Sequence, residues 1–303
     1  MTNIKKILTS IGLVATVLLA PLAFAATDSQ NVSLSVSVGN VAPSVSSLSL
    51  SDMDGNGIST GSTLNPVAEG RNAFDYQLSF TVSDNNGLSD LNKIIIEVYY
   101  DSIPGSTEEH TYAKFTGTVN ADGSISWSAS PSGGGWKIQT VDGVNTGVTS
   151  DTVKVKIGIG DVAKEDTSNS KWYFKVTVTD KDSSSDSATL GGYKMAAFVD
   201  LSVSPTSLSF SLTPGQSSTK SVTGVITSND AWTVSAKLNS SPSLLSSVKV
   251  NGVAMSTSAQ QIDSGSGYTS SSGTSKTWNV VATAKSGVEG SESLTLTITA
   301  NNP

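Results

Sequence analysis

The side chains able to do chemistry are few. The chain has one histidine, His110, and no cysteine, so a Ser-His-Asp arrangement has a single base to draw on and a Cys-His arrangement has no thiol. His110 lies in Glu108-Glu109-His110-Thr111, ahead of a strand, and is expected as a surface histidine at a strand start. Zinc held by histidine and cysteine is excluded for want of ligands. Two carboxylates at a set distance in a cleft could hydrolyse a glycosidic bond. The acids here gather in turns, where structural roles are commoner, so no catalytic residue is assigned and no enzyme is expected.

The most specific local motif is Asp52-x-Asp54-x-Asn56-Gly57. Oxygen ligands at alternate positions followed by a glycine match the first half of a calcium loop. The second half departs from it: position twelve is Thr63 rather than a bidentate glutamate, and no flanking helix is expected. Calcium is therefore the only cofactor to consider, with Asp84 or Asp90 from another loop completing the shell. The competing reading is an Asx-rich turn whose side chains bond their own backbone. Trp136, after Gly133-Gly134-Gly135 and among polar residues, could present its ring to a sugar, or could fold over an end of the fold. Trp127, Trp172, Trp232 and Trp278 lie in strand patterns and are expected in the core. Asn31-Val32-Ser33 and Asn239-Ser240-Ser241 are glycosylation sequons, the second weakened by Pro242.

What positions these residues is period-two alternation. Val32, Leu34, Val36 and Val38 are separated by Ser33, Ser35 and Ser37, which puts four apolar side chains on one face of an extended strand. Similar runs cover 77–82, 94–100, 153–159 and 172–178, rich in β-branched and aromatic residues. Asp52 to Gly57, Asp84 to Gly87, Asp122-Gly123, Ser132 to Gly135, Asp142-Gly143 and Asp180 to Asp186 punctuate them as turns. No amphipathic helix is expected in the mature chain. A restart near Asp200, then Leu208, Phe210, Val222, Trp232, Val248, Trp278 and Leu294 to Ile298, suits about seven short strands. The predicted fold is all-β: two immunoglobulin-like β-sandwich domains in tandem, 43–200 and 201–303. The first is longer than a minimal sandwich, with extra strands or a decorated hairpin around 121–150.

The first 25 residues read as a cleaved signal peptide. Lys5 and Lys6 precede an apolar run to Leu22, and Ala23-Phe24-Ala25 fits the cleavage site. Removing those two lysines takes the net charge from −7 to −9. With one arginine, Arg71, and scattered lysines, the chain offers no basic stripe for nucleic acid or an anionic membrane. No second apolar segment reaches membrane length, so no transmembrane anchor is expected after cleavage. An exported chain without disulfides must rely on burial, and charged residues at 14% leave serine, threonine and glycine to fill the surface. The expected location is extracellular, at the cell surface.

Asn40-Val41-Ala42-Pro43, then Asp52-Met53-Asp54-Gly55-Asn56-Gly57, then Thr81-Val82-Ser83-Asp84-Asn85-Asn86-Gly87-Leu88-Ser89-Asp90, resemble the immunoglobulin-like modules of archaeal and bacterial surface proteins. Val203-Ser204-Pro205-Thr206-Ser207-Leu208-Ser209-Phe210 with Pro214-Gly215 is similar to another such module. The likeness implies a fold and a habitat rather than a reaction. The run 32–38, with Gly39 as a hinge in the linker segment 26–42, also resembles the donated strand of archaeal thread-like and bundling pili. Its knobs Val32, Leu34, Val36 and Val38 would enter a neighbour's open sheet. The other reading has it begin the chain's own sheet. The expected function is a non-catalytic structural or adhesive surface protein that associates with itself or with other surface proteins. The alternatives are a carbohydrate-binding protein that holds surface glycans through Trp136, and a secreted hydrolase.

Overall fold

A computed structural model describes residues 33, 35–37, 39–66, 74–103, 109–130 and 135–303. The leader 1–25, Asn31, Val32, Leu34, Val38 and Arg71 lie outside the described residues. Strands dominate, joined by turns and a single-turn 3-10 helix at Leu88–Asp90. Among the described residues ten strands run to Met195: β1 (Ser44–Asp52), β2 (Thr63–Leu64), β3 (Tyr76–Ser83), β4 (Leu91–Tyr100) and β5 (Tyr112–Val119). They continue with β6 (Ile125–Ser130), β7 (Lys137–Asp142), β8 (Ser150–Gly158), β9 (Trp172–Asp180) and β10 (Ser185–Met195). Eight more follow: β11 (Val199–Ser204), β12 (Ser217–Ser228), β13 (Trp232–Leu238) and β14 (Leu245–Val250). The last are β15 (Val253–Ala254), β16 (Gln260–Gly265), β17 (Thr274–Ala284) and β18 (Leu296–Asn301).

The first ten strands make a four-stranded sheet, β1-β3-β8-β7, and a six-stranded sheet, β2-β10-β9-β4-β5-β6. Alternation decides their faces. In β3, Tyr76, Leu78, Phe80 and Val82 are buried and their neighbours are not; in β9, Trp172, Phe174, Val176 and Val178 are buried in the same way. Both rows enter one hydrophobic cluster, which removes these side chains from water and supplies the main driving force for pairing the sheets. The region around 121–150 contributes β6 and β7, whose edges meet through the Trp127 Nε1–H bond to Thr140 Oγ1 at 2.7 Å.

From Val199 onward a five-stranded sheet, β11-β12-β17-β14-β15, and a three-stranded sheet, β16-β13-β18, build a second cluster around Trp278, Trp232, Val234 and Val250. Its first strand begins at Val199 rather than after Asp200. Leu208 and Phe210 lie in no strand, yet pack against this cluster. Trp172, Trp232 and Trp278 are buried as expected, and Trp127 is half-buried against the first cluster.

Of the alternating run 32–38, Ser33, Ser35, Val36 and Ser37 are described and lie in no strand; β1 begins at Ser44.

Candidate functional site

The motif Asp52-x-Asp54-x-Asn56 forms an Asx turn closed on itself. Asp52 Oδ1 accepts the backbone N–H of Asp54 at 3.0 Å and of Asn56 at 2.8 Å, and Oδ2 accepts Asn56 Nδ2 at 2.9 Å. The Asn56 side-chain bond, then its backbone bond, hold the Asp52 carboxyl below its ordinary value. Asp84 and Asp90 do not complete a shell here. In the β1–β3 pair, Asp52 faces Tyr76 while Ser44 faces Ser83, so the Asp52 turn and Asp84 lie at opposite ends, roughly 25 Å apart at about 3.3 Å per strand residue.

Asp84 and Asp90 instead meet Asp180. One carboxylate oxygen from each lies within 4.8 Å of the others. Strand periodicity places two of the three. Asp84 is the next inward position after Tyr76, Leu78, Phe80 and Val82, and Asp180 is the next after Trp172, Phe174, Val176 and Val178. The inward rows of β3 and β9 thus each end in an aspartate at the same end of the core. Asp84 and Asp180 are 2% and 0% exposed. Gly87, at φ +97°, turns the chain into the 3-10 helix that delivers Asp90. The backbone N–H of Lys181 donates to the Asp90 carbonyl at 2.9 Å, tying the two loops together.

The hydrogen bonding of this cluster is uneven. Asp180 Oδ1 accepts Ser184 N–H at 2.8 Å, and its Oδ2 accepts Asn40 Nδ2 at 2.8 Å. Asp84 Oδ1 accepts Asn86 N–H at 2.7 Å, while Asp84 Oδ2 is buried with no partner. Lys181 gives its ammonium to the Ser89 carbonyl, and the ion pairs among the described residues, Lys171–Asp101 and Lys175–Glu97, lie elsewhere. Burial, then the charges of Asp84, Asp180 and Asp182, push the Asp90 carboxyl above its ordinary value against the pull of Lys181. Carboxylates this close repel once ionised, on the order of 3 to 4 kcal/mol per pair at an effective dielectric of about 20. Sequence reasoning missed Asp180, although its setting, Val178-Thr179-Asp180, repeats Val82-Ser83-Asp84.

The other candidates are consumed by packing. Trp136 is 2% exposed; its Nε1–H donates to the Glu109 carbonyl at 2.8 Å, and its ring packs against Trp172. Gly160 lies so close that a Cβ there would come within 2.3 Å of Trp136 Nε1. Its face is therefore covered, in keeping with the reading that folds it over an end of the fold, and it presents no open ring face to a sugar. His110, expected at the surface, is buried: Nδ1–H donates to the Val162 carbonyl at 2.5 Å, and the ring stacks on Tyr268 with centroids 3.6 Å apart. The Glu109 carboxylate accepts Ser271 N–H and Oγ–H at 2.9 and 2.6 Å. Asn229 Nδ2 donates to the Ala163 and Ala196 carbonyls, both at 2.8 Å. These contacts form a polar seam joining the strands before Met195 to those after Val199. Asn239 is exposed, and its Oδ1 accepts Thr295 N–H at 2.8 Å.

No protein-family model matches the chain, and no curated protein sequence does. Among solved structures it is similar to the CsuC–CsuE chaperone–tip adhesion subunit complex of archaic chaperone-usher Csu pili of Acinetobacter baumannii. There the identity is 11% and the TM-score 0.33, covering 84% of this chain and all of that one. The secreted serine protease VesC of Vibrio cholerae is 15% identical, with TM-score 0.20, over 79% of this chain and 49% of that one. Dimeric latent PorU of Porphyromonas gingivalis is 9% identical, with TM-score 0.19, over 84% and 32%. Scores this low carry no argument for fold or function. No helix among the described residues is long and apolar enough to cross a membrane.

Proposed function

We propose that this chain is a secreted, non-catalytic structural or adhesive protein of the cell surface, which associates with copies of itself or with other surface proteins. The observation that carries this reading is the polar seam. The sole histidine, the carboxylate beside it and the most promising exposed-looking tryptophan are all spent on holding sheets together. The burial of His110, its stack on Tyr268 and its bond to the Val162 carbonyl support a structural role for it. The Cys-free, serine- and threonine-rich composition and the leader-like pattern of the first 25 residues support the same location.

Assembly proceeds by donation of the strand 32–38, hinged at Gly39, to an open sheet edge of a neighbour. Support comes from the alternating row of apolar residues at 32, 34, 36 and 38. Strand donation repeated head to tail builds a filament. The test is negative-stain electron microscopy of the mature protein beside a variant lacking 26–38. Filaments in the first and compact monomers in the second are expected. Identical monomers in both would remove filament formation and leave adhesion to other surface partners.

A further inference from the structure

We propose that Asp84, Asp90 and Asp180 form a calcium site that joins the β3–β4 and β9–β10 loops at one end of the first core. Three carboxylate oxygens already lie within 4.8 Å of one another. The independent observation is Asp84 Oδ2, an atom buried without any hydrogen-bond partner on a side chain that is only 2% exposed. An ionised oxygen has no donor capacity and needs a proton or a cation opposite it; a carboxylate left buried and unmatched is costly enough that structures seldom carry one without a use for it.

The donor set selects the ion. Oxygen-only ligands with no nitrogen or sulfur favour a hard cation over zinc or copper. Calcium accepts a flexible shell of about six to eight oxygens, so three carboxylates from two loops can hold it, with water and main-chain carbonyls supplying the remainder; magnesium requires a tighter, near-octahedral arrangement. Bringing a divalent ion among these groups converts mutual repulsion into attraction, which is where the binding energy arises.

The site also reaches the chain's N-terminal linker. Asn40 Nδ2 donates to Asp180 Oδ2 at 2.8 Å and to Ser184 Oγ at 3.2 Å, and Val41 N–H donates to Asn86 Oδ1 at 2.8 Å. An ion bound to Asp180 therefore orders the loops that grip Asn40 and Val41, and so stiffens the root of the segment that leads to Gly39.

Calorimetric titration of calcium chloride into chelator-treated protein tests this, with unfolding temperature followed in parallel. One ion per chain is expected, with a dissociation constant of about 10⁻³ M or tighter, as in extracellular calcium modules, and a rise in unfolding temperature. Asp84→Asn should abolish both the heat and the temperature rise while keeping the parent's far-ultraviolet circular dichroism. Asp90→Asn, at a half-buried position, repeats the test should Asp84→Asn misfold. Asp52→Asn should bind as the parent does. Absence of heat at millimolar calcium, or loss of binding in Asp52→Asn but not in Asp84→Asn and Asp90→Asn, would overturn the site. Magnesium binding as tightly as calcium would overturn the choice of ion.

Discussion

Two acidic turns stand at opposite ends of the β1–β3 pair, and they solve the problem of negative charge in opposite ways. At one end Asp52 is half-buried and accepts three bonds, from Asp54 and Asn56 within the next four residues. At the other, Asp84 and Asp180 are buried at the ends of apolar rows, with Asp90 beside them, and one oxygen has no donor at all. In the local motif that looks like a metal loop, both oxygens of the first carboxylate are already bonded to its own turn. The site with capacity left is assembled from segments almost a hundred residues apart. Ligand spacing along a sequence thus counts for less than whether the folded turn still has acceptor oxygens to give.

The largest effect is expected from Asp180→Ala. It removes the side-chain acceptor of Ser184 N–H and one of the two acceptors of Asn40 Nδ2, and bonds to a charged group are worth about 1.5 to 3 kcal/mol each. Part of that loss is offset by relief of repulsion with Asp84 and Asp90. A net loss of about 2 to 3 kcal/mol in chelator is expected from urea denaturation. A loss no greater than that for a change at Asp52 would erase the distinction between the two turns.

These two turns also show how far the sequence could be read. Runs such as 77–82 and 172–178 were legible because inward and outward positions alternate without interruption, and burial follows that alternation residue by residue. The Asp52 motif was legible as a turn but ambiguous as a ligand set, since its spacing suits both an Asx turn and a calcium loop. Asp180 was hidden because its partners come through topology: β9 must sit opposite β3 before the two inward rows can converge. The cue was the repeated Val-Ser-Asp and Val-Thr-Asp step, an aspartate in register with a row of core residues. His110 was misplaced for a related reason. Its polar neighbour Glu109 suggests a surface, but the Glu109 carboxylate accepts Ser271 N–H and Oγ–H across the seam.

An intermediate effect is expected from Asp84→Asn in chelator. The amide keeps an oxygen for Asn86 N–H and places an N–H₂ donor where the unpartnered oxygen stood. The substitution should cost less than about 1 kcal/mol, or stabilise, since it removes an unpaired acceptor and one charge. Measured by the same urea series, a loss as large as that of Asp180→Ala would mean that the oxygen is matched in solution.

Proton linkage should distinguish the turns by sign. Asp90 has a raised pKa in the folded state, so without calcium its contribution is fully present below the ordinary value of 3.8 and is lost as pH rises through the raised value. Asp52 has a lowered one, so its contribution is present above 3.8 and is lost as pH falls through the lowered value. Urea midpoints across that range, compared for the parent, Asp90→Asn and Asp52→Asn, should flatten on opposite sides. Flattening on the same side in both variants would contradict the contrast.

The smallest effect belongs to Asp52→Asn at neutral pH. The substituted amide can keep its oxygen toward the N–H groups of Asp54 and Asn56 and gives up only the bond from Asn56 Nδ2. That bond is exposed, and water replaces it at little cost. The urea midpoint at neutral pH should therefore move less than in any other variant, and the calcium heat should be unchanged. The acid side of the stability curve is where the substitution should show, because the lowered carboxyl no longer takes up a proton there. A large loss at neutral pH would mean that the turn, though exposed, pins β1 against β3, and that its charge is structural rather than spare.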